Sequence, residues 1–148
     1  MYAICLSYAG ERPLAQDILQ ESFIKVFRNI DNYKNDGSLE GWIRRIVANT
    51  AIDHIRKKKR EGNYIDIEPG NQDLQAPDSV LKMIGFNELM QQVERLPEGA
   101  RMIFNMHALD GYSHKEIAER LNITEGTSKS QFSRARKLLM NFISHAGF

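Results

Sequence analysis

Apolar residues recur along this chain with a helical period almost throughout, and strand-like alternation is scarce. The pattern predicts helices over about residues 2–9, 13–30 and 39–59, then about 79–95, 98–109, 114–121 and 125–143. Gly10 ends the first, and Pro13 suits the first turn of the second. Leu109-Asp110-Gly111 offers a glycine for a left-handed helix cap. Ser113-His114-Lys115-Glu116 reads as a capping box, and Thr124 as the cap of the last helix. Ile117, Ala118 and Leu121 form an apolar stripe, so residues 114–143 read as two helices joined by a tight turn at Asn122-Ile123-Thr124.

Between these groups of helices lies EGNYIDIEPGNQDLQAPDS, which has no helical period and is rich in Gly, Pro, Asn and Gln. Its length favours a flexible linker over an ordinary surface loop. The expected architecture is all-α: a helical domain over residues 1–60, an acidic linker over 61–80, and a helix-turn-helix domain over 81–148.

Helical wheels give each helix a face. In residues 13–30, Leu19, Phe23, Val26, Phe27 and Ile30 form the expected core side. Asp17, Gln20, Glu21, Ile24 and Arg28 lie opposite. Ile24 is either a singly exposed apolar residue, which is common, or the anchor of a docking surface. Residues 39–59 are apolar nearly all round, apart from a stripe of Trp42, Arg45, Asn49, Asp53 and Arg56. That stripe suits stacking and base-edge contacts to unpaired nucleotides; it also fits an exposed Arg–Asp pair beside a core Trp, the commoner place for a Trp. In the last helix Phe132, Ala135, Leu138, Leu139, Phe142 and Ile143 form the core face. Lys129, Ser130, Ser133, Arg134 and Lys137 lie opposite. This suits a recognition helix in a major groove, or a solvated basic face. Ser128 falls on the apolar side, and the wheel gives no reason for it.

Charge sharpens the picture. The 148 residues carry a net charge of only +1, so the total gives no sign of a nucleic-acid binder. The distribution does. Arg44–Arg60 holds seven basic residues and one acid, Glu61–Val80 five acids and no Lys or Arg, and Thr127 onward four basic residues and no acid. Charged residues at 26% and apolar residues at 42% fit a globular domain rather than a disordered chain. No apolar run approaches a membrane span, and the opening MYAICLSYAG lacks the features of a signal peptide. The single Cys5 excludes an internal disulfide and suits the cytosol. His54, His107, His114 and His145 show no metal-ligand spacing, there is no phosphate-binding Gly loop, and Ser113 and Gly111 are explained as caps. No catalytic residue, metal or cofactor is expected.

The run AQDILQESFIKVFRNIDNYKNDGSLEGWIRRIVANTAIDHIRKKKR resembles the second conserved region of bacterial sigma factors. LPEGARMIFNMHALDGYSHKEIAERLNITEGTSKSQFSRARKLL resembles the fourth. With no third region between them, the chain is similar to extracytoplasmic-function sigma factors over about residues 2–60 and 83–143.

The resemblance implies a promoter-specificity factor working with core RNA polymerase in the cytoplasm; a stand-alone helix-turn-helix regulator is the alternative. It puts Asp17, Gln20, Glu21 and Ile24 on the clamp of the largest polymerase subunit. Tyr33, Lys34, Asp36, Trp42, Arg45, Asn49 and Arg56 fall at the minus-10 element, and Thr127, Lys129, Ser130, Ser133, Arg134 and Lys137 at the minus-35 element. It further implies contact with the flap of the second-largest subunit and control by an anti-sigma protein. Two departures stand out. The first helix is short for the family, and Ser128 and Gln131 replace what are more often an aliphatic and a basic residue.

Overall fold

A computed structural model describes residues 1–62, 67 and 81–147; the expected linker falls almost wholly outside the described residues. Every regular element among the described residues is helical. The chain divides into two compact units, Met1–Tyr64 and Ile65–Phe148.

The first unit holds α1 (Tyr2–Ala9), α2 (Arg12–Asn29, followed by a 3₁₀ turn at Ile30–Asn32) and α3 (Leu39–Arg60). Each helix packs on the other two. Gly10 closes α1 with φ of 74°, a conformation only glycine adopts without strain. Ser38 caps α3, its hydroxyl accepting from the Gly41 N–H at 3.0 Å. The core joins Ile4, Cys5 and Tyr8 of α1 to Ala15, Ile18 and Val26 of α2 and to Val47, Ala48, Ala51, Ile52 and Ile55 of α3. Burial pushes the Cys5 thiol up to about 11, so it is an inert packing group.

The buried side of α2 differs from the wheel's expectation. Only Val26 of the five expected core residues is buried; Leu19 and Phe23 are half-buried, and Phe27 and Ile30 are exposed. The helix instead buries Ala15, Ile18, Ser22 and Val26. Two of these are small, and the Ser22 hydroxyl satisfies itself on the Ile18 carbonyl at 2.6 Å. Small side chains let helices approach closely, so the crossing selects them over the bulkier Phe27.

The second unit holds α4 (Phe86–Val93), α5 (Glu98–Phe104, running into a π turn at Asn105–Leu109), α6 (His114–Leu121) and α7 (Glu125–His145). The fourth helix is shorter than expected, starting only after Gly85 in an extended conformation. Helix α5 is central, with every residue from Gly99 to Phe104 buried. Val93, Leu96, Ala100, Phe104, Ala135 and Leu139 form a continuous core, edged by Leu89, Phe132, Leu138 and Phe142. The capping box is present: the Ser113 hydroxyl accepts from the Glu116 N–H, and the Glu116 carboxylate from the Ser113 N–H at 2.8 Å. Asn122 ends α6 in the left-handed region, φ 55°, and Thr124 caps α7. Helices α6 and α7 thus stand as a helix-turn-helix pair.

Candidate functional site

In the first unit the candidate site is an open cleft of about 340 Å³ between α2 and α3. Lys25, Asn29, Asn32, Trp42, Ile46, Asn49 and Thr50 line it. Trp42 is half-buried, neither core nor fully exposed, and its ring meets Tyr33 at 5.6 Å and 47°. The Tyr33 hydroxyl donates to the Gly37 carbonyl at 2.7 Å, pinning the 33–38 loop over the Trp. Asn35 and Gly37 both have positive φ, which curls that loop back. An aromatic floor, side-chain amides and a cation in one cleft are the groups that stack a base, read its edge and hold its phosphate.

Asn49 lies in the wall of this cleft; Lys34, Asp36, Arg45 and Arg56 are exposed but are not among its lining residues. The expected alternative, an Arg–Asp pair on the stripe, does not form: among the described residues no ion pair joins Asp53 to Arg45 or Arg56.

On α2, Asp17, Gln20 and Ile24 are exposed, Ile24 at 45%. Phe27, assigned to the core by periodicity, is 73% exposed beside them, one turn beyond Phe23. Glu21 is not free. Its carboxylate binds His54 of α3 and Lys25 at 3.1 Å, and Lys25 also donates to the Thr50 hydroxyl at 3.3 Å. The His54 hydrogen bond above all, helped by Lys25 against the opposing effect of burial, holds Glu21 below the usual carboxylate range. This network ties α2 to α3 next to the cleft. His54 carried no motif, so sequence reasoning missed it; its i, i+4 neighbours gave no signal either.

In the second unit α7 presents Lys129, Arg134 and Lys137 to solvent, with Thr127 and Ser133 half-buried beside them. Lys129 pairs loosely with Glu125 at 3.7 Å. The Thr127 hydroxyl lies 2.8 Å from that of Thr124, within the cap. Ser130 departs from expectation: it is 3% exposed, and its hydroxyl donates to the Thr127 carbonyl at 3.0 Å. Buried and bonded to its own helix, Ser130 is a packing residue rather than a presented one.

Ser128 and Gln131 are also buried. Ser128, unexplained by the wheel, lies with its hydroxyl 2.8 Å from Nδ1 of His114, the first residue of α6. Among the described residues no three His, Cys, Asp or Glu side chains gather as a metal site, and no helix is long and apolar enough to cross a membrane.

Comparison with known proteins accounts for both units. The family models for sigma-70 region 2 and sigma-70 region 4 match residues 1–61 and 86–139. The ECF RNA polymerase sigma factor SigW of Bacillus subtilis is 33% identical over 151 residues, spanning 94% of this chain and 80% of that protein. The ECF RNA polymerase sigma-E factor of Escherichia coli is 29% identical over 136 residues, 84% of this chain and 71% of that one. Among solved structures, the sigma factor RpoE in complex with the anti-sigma factor NepR, from Bartonella quintana, superposes with a TM-score of 0.53 at 20% identity. It covers 97% of this chain and 89% of its own, a likeness of fold. The chain belongs to the extracytoplasmic-function group of the sigma-70 family, the sigma factors that give RNA polymerase its promoter specificity.

Proposed function

We propose that this sigma factor binds core RNA polymerase in the cytoplasm through α2, opens the minus-10 element with the α2–α3 cleft, and grips the minus-35 element as duplex with α7. The observation that carries the reading is the chemical difference between the two surfaces. One is a stacking cleft with amides and a cation, suited to unpaired bases; the other is a row of cations beside half-buried hydroxyls on a helix-turn-helix, suited to a duplex.

Asp17, Gln20, Ile24 and Phe27 form the docking surface for the clamp, with Glu21 held beside them by His54 and Lys25. Trp42 and Tyr33 supply the aromatic platform. Asn49 reads a base edge, and Lys34, Asp36, Arg45 and Arg56 border the strand. Lys129, Arg134 and Lys137 meet duplex phosphates and base edges, with Thr127 and Ser133 between them. Residues 61–80 serve as the linker between the domains 1–60 and 81–148. The second domain meets the flap of the second-largest subunit, and an anti-sigma protein covers the docking faces of the idle factor. The protein performs no chemistry itself; bond formation belongs to the polymerase.

A stand-alone repressor or activator would leave the cleft and the α2 surface without a task. Reconstitution with core polymerase, followed by genome-wide mapping of transcript starts, tests the proposal. Starts that share minus-10 and minus-35 elements support it. A chain that never associates with core enzyme, yet shifts duplex DNA by itself, overturns it.

A further inference from the structure

The imidazole of His114 lies where α6, the π turn and the first turns of α7 meet. On one side its Nδ1 is 2.8 Å from the hydroxyl of Ser128, which is fully buried in α7. Across its face it stacks on His107, centroids 4.1 Å apart and planes 17° from parallel. His107 is itself fixed, its Nδ1–H donating to the Tyr112 carbonyl at 2.8 Å. Both rings meet the edge or face of Phe132 of α7, at 4.6 Å for His107 and 5.7 Å for His114. An apolar seam sets how closely two helices pack but resists sliding weakly. A directional hydrogen bond between a buried hydroxyl and a stacked ring fixes register as well. Ser128 stands between Thr127 and Lys129, in the part of α7 that carries the candidate DNA contacts.

We propose that His114 is a positioning residue for minus-35 recognition: through Ser128 and its stack on His107 it sets the register at which Thr127, Lys129 and Arg134 meet the duplex, and its protonation loosens that setting. The inference rests on reading α7 as the recognition helix.

The charged surroundings give the direction of the pH effect. His107 faces His114 from the π turn, and Lys129 and Glu125 face it from α7. Lys115 and Glu116 flank it on α6, and Arg136 lies over Phe132 at 5.8 Å. Burial first, then His107 and Lys129, lower the His114 value from the ordinary 6.5, with Glu125 opposing. The native arrangement therefore favours the neutral ring. Its contribution is complete above pH 6.5 and is lost as pH falls through the lowered native value.

The full chain is followed by NMR from about pH 5 to 8, the range in which histidines titrate. Backbone amides of residues 127–130 are expected to move with the His114 ring, at one midpoint, and to lose that movement in His114→Gln. Transcription by the holoenzyme is then compared on a mapped promoter with its minus-35 element intact or scrambled. His114→Ala is expected to reduce the preference for the intact element about tenfold, the scale of one mismatched base pair. His114→Gln, which keeps a hydrogen-bonding group but cannot ionise, is expected to restore most of the preference and remove its pH dependence. Amides of α7 that ignore His114, or a folded His114→Ala protein with full preference, overturn the role. Should His114→Ala fail to fold, Ser128→Ala and the wild-type titration decide. A wild type with no minus-35 preference overturns the promoter reading, and this role with it; a preference that survives His114→Ala overturns the role alone.

Discussion

Truncating Phe27 sets a proposed docking side chain against a core one within a single helix. The ring is 73% exposed, and its aromatic neighbour is Phe23, at 6.5 Å in a tilted pair. Phe27→Ala therefore costs the fold little: exposed substitutions usually stay within about 0.5 kcal/mol, and Ala is the better helix former. Binding is another matter. Complete burial of a Phe side chain is worth about 1.5–3 kcal/mol, and roughly three-quarters of that remains to be gained at a partner surface. The loss on binding core polymerase is then about 1–2 kcal/mol, or roughly five- to thirtyfold in Kd. Anisotropy titration of labelled protein with core enzyme measures it, with a thermal melt as control. Ile18, on the buried side of α2 and fully inaccessible, gives the contrast: Ile18→Ala should cost about 2–5 kcal/mol of stability. An unchanged Kd for Phe27→Ala, or a melting temperature that falls as far as that of Ile18→Ala, would refute the reasoning.

Three further outcomes are expected. Trp42→Ala removes the partner of Tyr33 and the floor of the cleft, so the holoenzyme should lose about 1–3 kcal/mol of affinity for a single-stranded minus-10 oligonucleotide; minus-35 duplex binding, measured in parallel, should not change. Arg134→Ala should weaken promoters with a strong minus-35 element more than those without one; equal loss on both, with a salt slope lower by about 1, would instead mark a phosphate contact. Glu21, held low by His54 and Lys25, stabilises the first unit at pH values above its ordinary 4.5, and that stabilisation disappears as pH falls through its lowered native value. Acid titration of the melting temperature should show this component in the wild type and not in Glu21→Gln.

Helix number, caps and the helix-turn-helix were legible in the sequence because local chemistry fixes them. Gly10, Thr124 and the Ser113–Glu116 box each act within four residues. The faces were legible only in part. A wheel weights positions by apolarity, whereas a close helix crossing selects small size. That is why Ala15 and Ser22 are buried on α2 while Phe27 is not, and why Ser130 is buried on α7. The Glu21–His54 and His114–Ser128 contacts were illegible for a second reason: they join residues 33 and 14 positions apart, and only the packed fold sets such distances.

The apolar residues left outside and the hydroxyl placed inside have a physical cause. Folding alone favours large apolar groups inside and hydroxyls outside, so each inversion needs another origin. The exposed Phe27 and Ile24 keep apolar area available that folding alone would bury, and a docking partner can recover it. The buried Ser128 gives up solvent for one directed bond to an imidazole, which under the proposal sets register at the end of α7 assigned to the duplex. Both inversions fall on the helices to which the two functions are proposed to belong, α2 for polymerase docking and α7 for duplex reading. Surface helices that carry cations for solubility alone would have no reason to place them there.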